Sequence, residues 1–175
     1  MNFYAMRFNL YLLPLLAVTL LLGCKTNKKD EHLASLRIHL ENRAQVVGSG
    51  QTISVLRSQP VLVTINSDPV LTEANIIGAT VLATPGGYAL QVQFDETGTW
   101  TLEQYSAANI GKHFAIFGQW SEQATNSRWL GAPVISHRVA NGVLAFTPDA
   151  SQEEAIKLVI GLNNMARKIA KGKMK

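Results

Sequence analysis

The run Tyr88-Ala-Leu90-Gln-Val92-Gln-Phe94 limits what this chain can become more than any other stretch. Its apolar and polar residues alternate. In an extended strand Tyr88, Leu90, Val92 and Phe94 therefore share one face, and Gln91 and Gln93 take the other. Such a strand is stable only when a second layer covers its apolar face. The chain supplies that layer near its end. Ser151-Gln-Glu-Glu154 is a capping box, and Ala155, Val159, Leu162, Ala166 and Ile169 then recur on one stripe, flanked by Ile156, Leu158 and Met165. A hydrophobic content of 47% with 16% charged residues suits a packed core and not a disordered chain. The expected fold is α+β: a small, mostly antiparallel sheet with two or three helices packed against it.

The other elements follow in chain order. Leu36, Ile38 and Leu40 alternate with Arg37, His39 and Glu41, which predicts a half-buried strand, and the polar stretch 42–50 predicts a loop. Residues 52–57 and 61–65 read as short strands parted by Ser58-Gln59-Pro60, with Pro60 at a strand start because it cannot donate to a ladder. Thr72 caps a short helix ending near Ile76, with Glu73 at its positive end. Residues 79–83 and 88–94 form a hairpin through Thr84-Pro85-Gly86-Gly87. Asp95 to Thr99 caps a helix from Trp100 to Ala108, which Gly111 terminates. The nearly continuous apolar run 113–120 predicts a central strand, and 121–127 a surface loop. Residues 129–140 and 143–146 are expected to form a hairpin around Asn141-Gly142.

The N-terminus has a separate logic. Arg7 precedes an apolar run, Phe8 to Leu22, broken only by Asn9, Pro14 and Thr19. At roughly 15 residues it is short of the roughly 20 a membrane span needs, and it reads as an export signal. The run ends Leu21-Leu22-Gly23-Cys24, which resembles the lipobox of bacterial lipoproteins. The resemblance implies cleavage between Gly23 and Cys24 and acylation of the Cys24 thiol, a palmitate-type lipidation. Two acyl chains hold a protein on a bilayer where one binds only marginally. The alternative is an uncleaved anchor with an incidental Cys24. Lys25, not Asp, follows the cysteine, and by the same resemblance the outer membrane is favoured over the inner. Residues 25–32 contain no apolar side chain and read as a solvated tether. A lone cysteine excludes an intrachain disulfide and any multi-cysteine metal site.

Charge narrows the partners. The net charge is +4, and Arg7 is the single charge in the first 23 residues, so the remainder carries +3. The lysines gather at the ends while the aromatics lie in the apolar middle. A nucleic-acid binder would interleave them on one face, so nucleic acid is not an expected partner. Lys168, Lys171, Lys173 and Lys175 suit a helix C-terminus. They form either a solvated end or a contact with anionic head groups. His32, His39, His113 and His137 are scattered without metal-ligand spacing, and neither a metal nor a cofactor is expected. Asp95 and Glu96 point apart in an extended segment and suit a helix cap better than an acid/base pair. Gly48-Ser49-Gly50 lacks the spacing of a nucleophile turn. The candidate binding residues are Trp120, Trp129, Asn109 and Lys112; each also has a plain reading, in core packing or in turn formation. No residue is expected to be catalytic.

One set of motifs carries a family likeness. Phe94-Asp-Glu-Thr-Gly98, Asn109-Ile-Gly111-Lys112-His-Phe-Ala-Ile116, Ala132-Pro133-Val134-Ile135, Asn141-Gly142, Phe146-Thr147 and Glu153-Glu154-Ala155 occur in that order. Together they resemble the head subdomain of the large periplasmic domain of SecD and SecDF, over residues 69–162. The resemblance implies an α+β head that contacts exported polypeptide. SecD and SecDF carry multiple transmembrane helices, and this chain has no apolar span after residue 24, so it is not expected to be a complete proton-driven subunit. The resulting division is a lipoprotein signal peptide (1–23), a tether (24–32), an N-terminal β segment (33–68), a SecD-head-like domain (69–170) and a basic tail (171–175). The expected function is that of a non-catalytic envelope lipoprotein. It faces the periplasm, binds a polypeptide or another envelope protein, and is linked to protein export. The alternatives are a structural adaptor of an envelope complex and a small hydrolase.

Overall fold

The computed structural model describes residues 32–43, 50–120 and 126–173. The expected signal segment, Cys24, the expected tether up to residue 31, most of the expected 42–50 loop, residues 121–125 and the last two residues lie outside the described residues.

Eight strands and two α-helices are defined in this part of the chain. They are β1 (Ala34–Leu40), β2 (Gln51–Val55), β3 (Val61–Ile65), β4 (Ile76–Thr84), β5 (Gly87–Phe94), α1 (Glu96–Ala108), β6 (Phe114–Trp120), β7 (Asn126–Gly131), β8 (Val143–Phe146) and α2 (Gln152–Lys173). A single 3-10 turn, Glu73–Asn75, precedes β4; Thr72 caps it and Asn75 completes the capping box. The expected single sheet is instead three, all antiparallel: β1-β6-β7, β2-β3 and β4-β5-β8.

The alternating strands behave as their sequences dictate. Leu90, Val92 and Phe94 of β5 and Leu36, Ile38 and Leu40 of β1 turn into one core with Leu102 of α1 and Leu158 and Leu162 of α2. Each such side chain contributes roughly 1.5–3 kcal/mol when fully buried. The strand from β6 is central in its sheet, as its apolar run predicts, and it is buried on both faces. Phe114, Ile116 and Trp120 enter the main core, while Ala115 meets Ile53, Val55, Val63 and Ile65 of the β2-β3 hairpin. Residues 34–65 and 69–170 thus build on the same strands.

Helix α2 lies over the edges of two sheets, against β1 and β4. Its capping box is formed: Ser151 N–H donates to Glu154 Oε2 (2.7 Å), and Glu154 N–H donates to Ser151 Oγ (3.2 Å). The buried stripe is Ala155, Leu158, Leu162 and Ala166, so Leu158 belongs to its centre and not to its flank. Gly161 is needed where α2 crosses the start of β1. A Cβ there would stand 2.7 Å from Ala34 Cβ and 2.8 Å from Ala34 N.

Three local expectations are corrected. Helix α1 starts at Glu96, four residues before Trp100, because Asp95 is the N-cap and accepts from Gly98 N–H at 2.8 Å. The connection between β4 and β5 is tighter than expected: Thr84 pairs with Gly87, leaving Pro85 and Gly86 at the tip, with Gly86 at φ 86°. The hairpin expected around Asn141-Gly142 does not form. Residues 126–131 pair with β6, and β8 pairs with β5. Pro133 has no N–H for a ladder. Residues 133–135 instead return beside residues 112–114, with Phe114 N–H donating to Pro133 O and Ile135 N–H to Lys112 O. Gly142 does adopt φ 68°, but its turn delivers the chain to β5.

Candidate functional site

Helix α1 buries little of itself. Gly98, Leu102 and Ser106, at four-residue spacing, face inward. Ser106 Oγ donates to Glu103 O at 3.1 Å and accepts from Val139 N–H at 2.9 Å, which fastens the helix to the 132–142 segment. Glu103 also pairs with Arg138 of that segment. The outward side carries Trp100, which is 61% exposed, and Tyr105. Ile110, just past the helix, is likewise 61% exposed.

These side chains border a groove. A hollow of about 680 Å³ lies between α1 and the 66–70 segment, lined by Asn66, Asp68, Val70, Trp100, Gln104 and Tyr105 among others. A second, more open hollow shares Gln104 and Tyr105 with it and runs on past Ala107 and Ala108 to Asn109. The two share residues and run along α1 from Trp100 to Asn109, roughly 14 Å of helix rise. That length matches about four residues of extended polypeptide. Asn66 and Val70 are held by β1: Asn66 N–H donates to Leu40 O at 3.0 Å and Val70 N–H to Ile38 O at 2.7 Å. The groove floor is thereby fixed to the core.

The residues singled out from sequence do not converge. Trp120 is 3% exposed, with the Arg128 guanidinium 4.9 Å from its ring centroid. Trp129 is half-buried, edge-on to both His39 (5.3 Å) and Phe117 (5.2 Å). Asn109 and Lys112 engage each other: Lys112 Nζ donates to Asn109 Oδ1 at 2.8 Å, while Asn109 Nδ2 donates to Tyr105 O at 2.9 Å. That pair closes the end of α1. Lys112 and Trp120 lie at opposite ends of β6, roughly 25 Å apart along the strand. Of the three tryptophans, Trp100 alone offers most of its surface to solvent.

Two polar clusters were not foreseen. Glu41, whose side chain is 14% exposed, accepts from His113 N–H (2.8 Å), meets His113 Nδ1 (2.7 Å) and accepts from Arg43 Nε (2.8 Å). Burial pushes its carboxyl up, but the hydrogen bonds from Arg43 and His113 outweigh this and hold it at about 2. Arg43 also donates to Gly111 O at 2.7 Å, so the cluster pins the turn after α1 to the end of β1. At the start of α2, Asp149 accepts from Arg57 N–H (2.9 Å) and Arg57 Nε (3.1 Å). Arg128 donates to Asp149 O (3.0 Å) and Glu154 Oε2 (2.6 Å), and Tyr88 Oη donates to Ala150 O. For both Asp149 and Glu154, burial acts upward and the arginine and backbone donors carry the carboxyl below its ordinary range. This knot joins β2-β3, β5, β7 and α2. Sequence spacing carries no trace of either cluster, because each is closed by a distant link: Glu41 to His113 across 72 residues and Arg57 to Asp149 across 92.

The nearest approach to nucleophile geometry is Ser136 Oγ with His137 Nδ1, at 2.9 Å. Both residues are exposed, and among the described residues no carboxylate pairs with the His137 ring. Among the described residues no three His, Cys, Asp or Glu side chains gather as metal ligands, and no helix is long and apolar enough to cross a membrane.

The fold and the groove define a small α+β domain: three antiparallel sheets, a helix α2 that buries one stripe against two of them, and a shallow aromatic-edged surface along α1. Residues 41–166 match the profile of the SecDF P1 head subdomain, and the chain belongs to that family. A solved structure described as a membrane component SecDF that enhances protein export superposes with a TM-score of 0.53 at 19% identity, covering 77% of this chain and 64% of that one. A crystal structure of SecDF in a super-membrane-facing form gives the same TM-score and identity over 75% of this chain and 19% of its own. The match therefore spans less than two thirds of either structure, and at this identity it shows the fold. No curated relative matches the chain in sequence.

Proposed function

We propose that this chain is an export-linked head module whose α1 groove holds an extended polypeptide without carrying out chemistry on it. Membership of the SecDF P1 head family supports the link to export, as does the description of a similar solved structure as a component that enhances protein export. The observation that carries the binding reading is the exposed Trp100 at the rim of a groove long enough for about four extended residues. Acylated Cys24 anchors the module to the envelope membrane, residues 24–32 tether it, and the head faces the periplasm, with Lys25 favouring the outer membrane.

Purified full-length protein and a fluorescently labelled disulfide-bonded polypeptide, kept unfolded by reduction and alkylation or left folded, provide the test. Binding is expected by anisotropy, with the folded form of the same polypeptide binding much more weakly. Trp100→Ala is expected to weaken binding by about 2 kcal/mol, or roughly thirtyfold, the magnitude of an aromatic hot spot. Equal affinity for folded and unfolded forms, or an unchanged affinity in Trp100→Ala, would overturn the reading.

A further inference from the structure

The chain enters the fold along helix α2. Leu33 and Ala34 cross over Gly161, within 3.0 Å of where its Cβ would stand. One turn further along the helix, Asn164 Nδ2 donates to His32 O at 3.0 Å. Followed backwards from Ala34 to His32, the chain therefore runs toward the C-terminal end of α2. At 100° per residue Asn164, Arg167, Lys168 and Lys171 fall within about 100° of helix surface. Arg167, Lys168 and Lys171 are exposed. From Ala155 to its end the helix has no carboxylate, and its other cation on this side, Lys157, is paired with Glu153 at 2.8 Å. The described chain thus begins in the middle of a basic stripe that no carboxylate of its own helix opposes.

We infer that the basic outer stripe at the C-terminal end of α2 lies against anionic lipid head groups, so that the head rests on its membrane by this end. The inference depends on reading residues 1–31 as a membrane-anchoring leader and tether. Residues 24–31 reach at most about 28 Å when fully extended, so His32 stays within that distance of the bilayer. The helix continues beyond Asn164 for roughly 13 Å to Lys173, so the stripe lies within the tether's reach. In sequence, Lys25, Lys28 and Lys29 are offset by Asp30 and Glu31, so the tether itself carries a net charge of only +1 and the attraction rests on the helix stripe. A juxtamembrane cluster of this size draws anionic lipid with roughly fivefold gain per close charge. The exposed Ile156 and Ile160 continue the same side of α2 toward its N-terminal end. In this arrangement the membrane-facing end is α2's C-terminus, and the groove along α1 is a separate surface.

The test uses the unprocessed full chain reconstituted into vesicles of phosphatidylcholine alone or mixed with phosphatidylglycerol. Its apolar run, residues 8–22, joins it to the bilayer whether or not Cys24 is acylated, so this experiment and the acylation reading fail independently. A fluorescent side chain at position 172, where glycine has no neighbour within 4 Å, reports proximity to a head-group quencher. Strong quenching is expected with phosphatidylglycerol and reversal by high salt, with at least a tenfold weaker response on phosphatidylcholine. Arg167→Gln, Lys168→Gln and Lys171→Gln together are expected to abolish the difference, with helix content unchanged by circular dichroism. Equal quenching on both vesicles, or no effect of the triple variant, would overturn the inference. Equal protection of the label by a soluble acidic peptide without vesicles would overturn it in favour of a protein partner.

Discussion

Asn163 gives the account its sharpest energetic test. Strand β4 is an edge of its sheet, and its residue Ala79 is buried where α2 crosses it. The Asn163 side chain closes that gap as a neighbouring peptide group would: Oδ1 accepts from Ala79 N–H at 2.9 Å and Nδ2 donates to Ala79 O at 3.0 Å. Asn163→Ala removes both bonds and leaves two buried backbone groups without partners. Each bond contributes about 1 kcal/mol net, and each orphaned group costs about 1–3 kcal/mol, less where water enters. The expected loss is about 2–4 kcal/mol. With a urea m-value near 2 kcal/mol/M, the midpoint should fall by about 1–2 M while m is unchanged. Asn163→Gln should also destabilise, because the extra methylene displaces the amide. Unfolding of Asn163→Ala within about 0.5 kcal/mol of wild type would refute the claim that this side chain completes the β4 edge.

Other outcomes follow from the same geometry. Glu41 has its carboxyl at about 2, below its ordinary 4.5, so the stability it adds is complete above the unfolded value and is lost as pH falls from about 5 toward 2. Glu41→Gln should flatten acid unfolding in that window, by roughly 2 kcal/mol after allowance for solvent screening, and an unchanged acid limb would contradict it. Gly161→Ala should cost about 1–3 kcal/mol and loosen amide protection in β1, since its Cβ meets Ala34 backbone at 2.8 Å; native protection of β1 would count against the crossing. Leu158→Ala should cost about 2–5 kcal/mol by calorimetry, as a fully buried residue of α2. Trp100→Ala should leave thermal stability within about 0.5 kcal/mol, because the residue is exposed, while weakening polypeptide binding roughly thirtyfold.

What could be read from sequence was local. The alternation in β1 and β5, the Ser151–Glu154 capping box and the apolar run of β6 each carry their own signal, and each element stands where that signal put it. The Asn141-Gly142 turn was also legible, but a turn signal says nothing of which strand receives the chain. Leu144 pairs with Val92, a partner more than fifty residues away, and not with the segment before the turn. Gly98 hid the true start of α1. It reads as a helix breaker, yet a Cβ there would stand 2.9 Å from Phe94 Cβ and Asn75 Cβ, so close packing selects glycine. Tryptophan exposure was not legible at all: Trp100, Trp120 and Trp129 look alike in sequence, and only the packing of α1 leaves the first uncovered. The same holds for Asn163 and Asn164, which are unremarked amides on a helix until β4 and the entering chain are laid beside them.

The most direct measurement is site-specific photo-crosslinking in living cells from positions 100 and 104 on α1, with mass spectrometry of the adducts. A control probe at position 85, on the β4-β5 tip, reports general surface collisions. The account predicts crosslinks from the α1 positions to many different exported polypeptides, enriched over the control and reduced when export is blocked. A single stoichiometric folded partner, or crosslinks no richer than those at position 85, would contradict it.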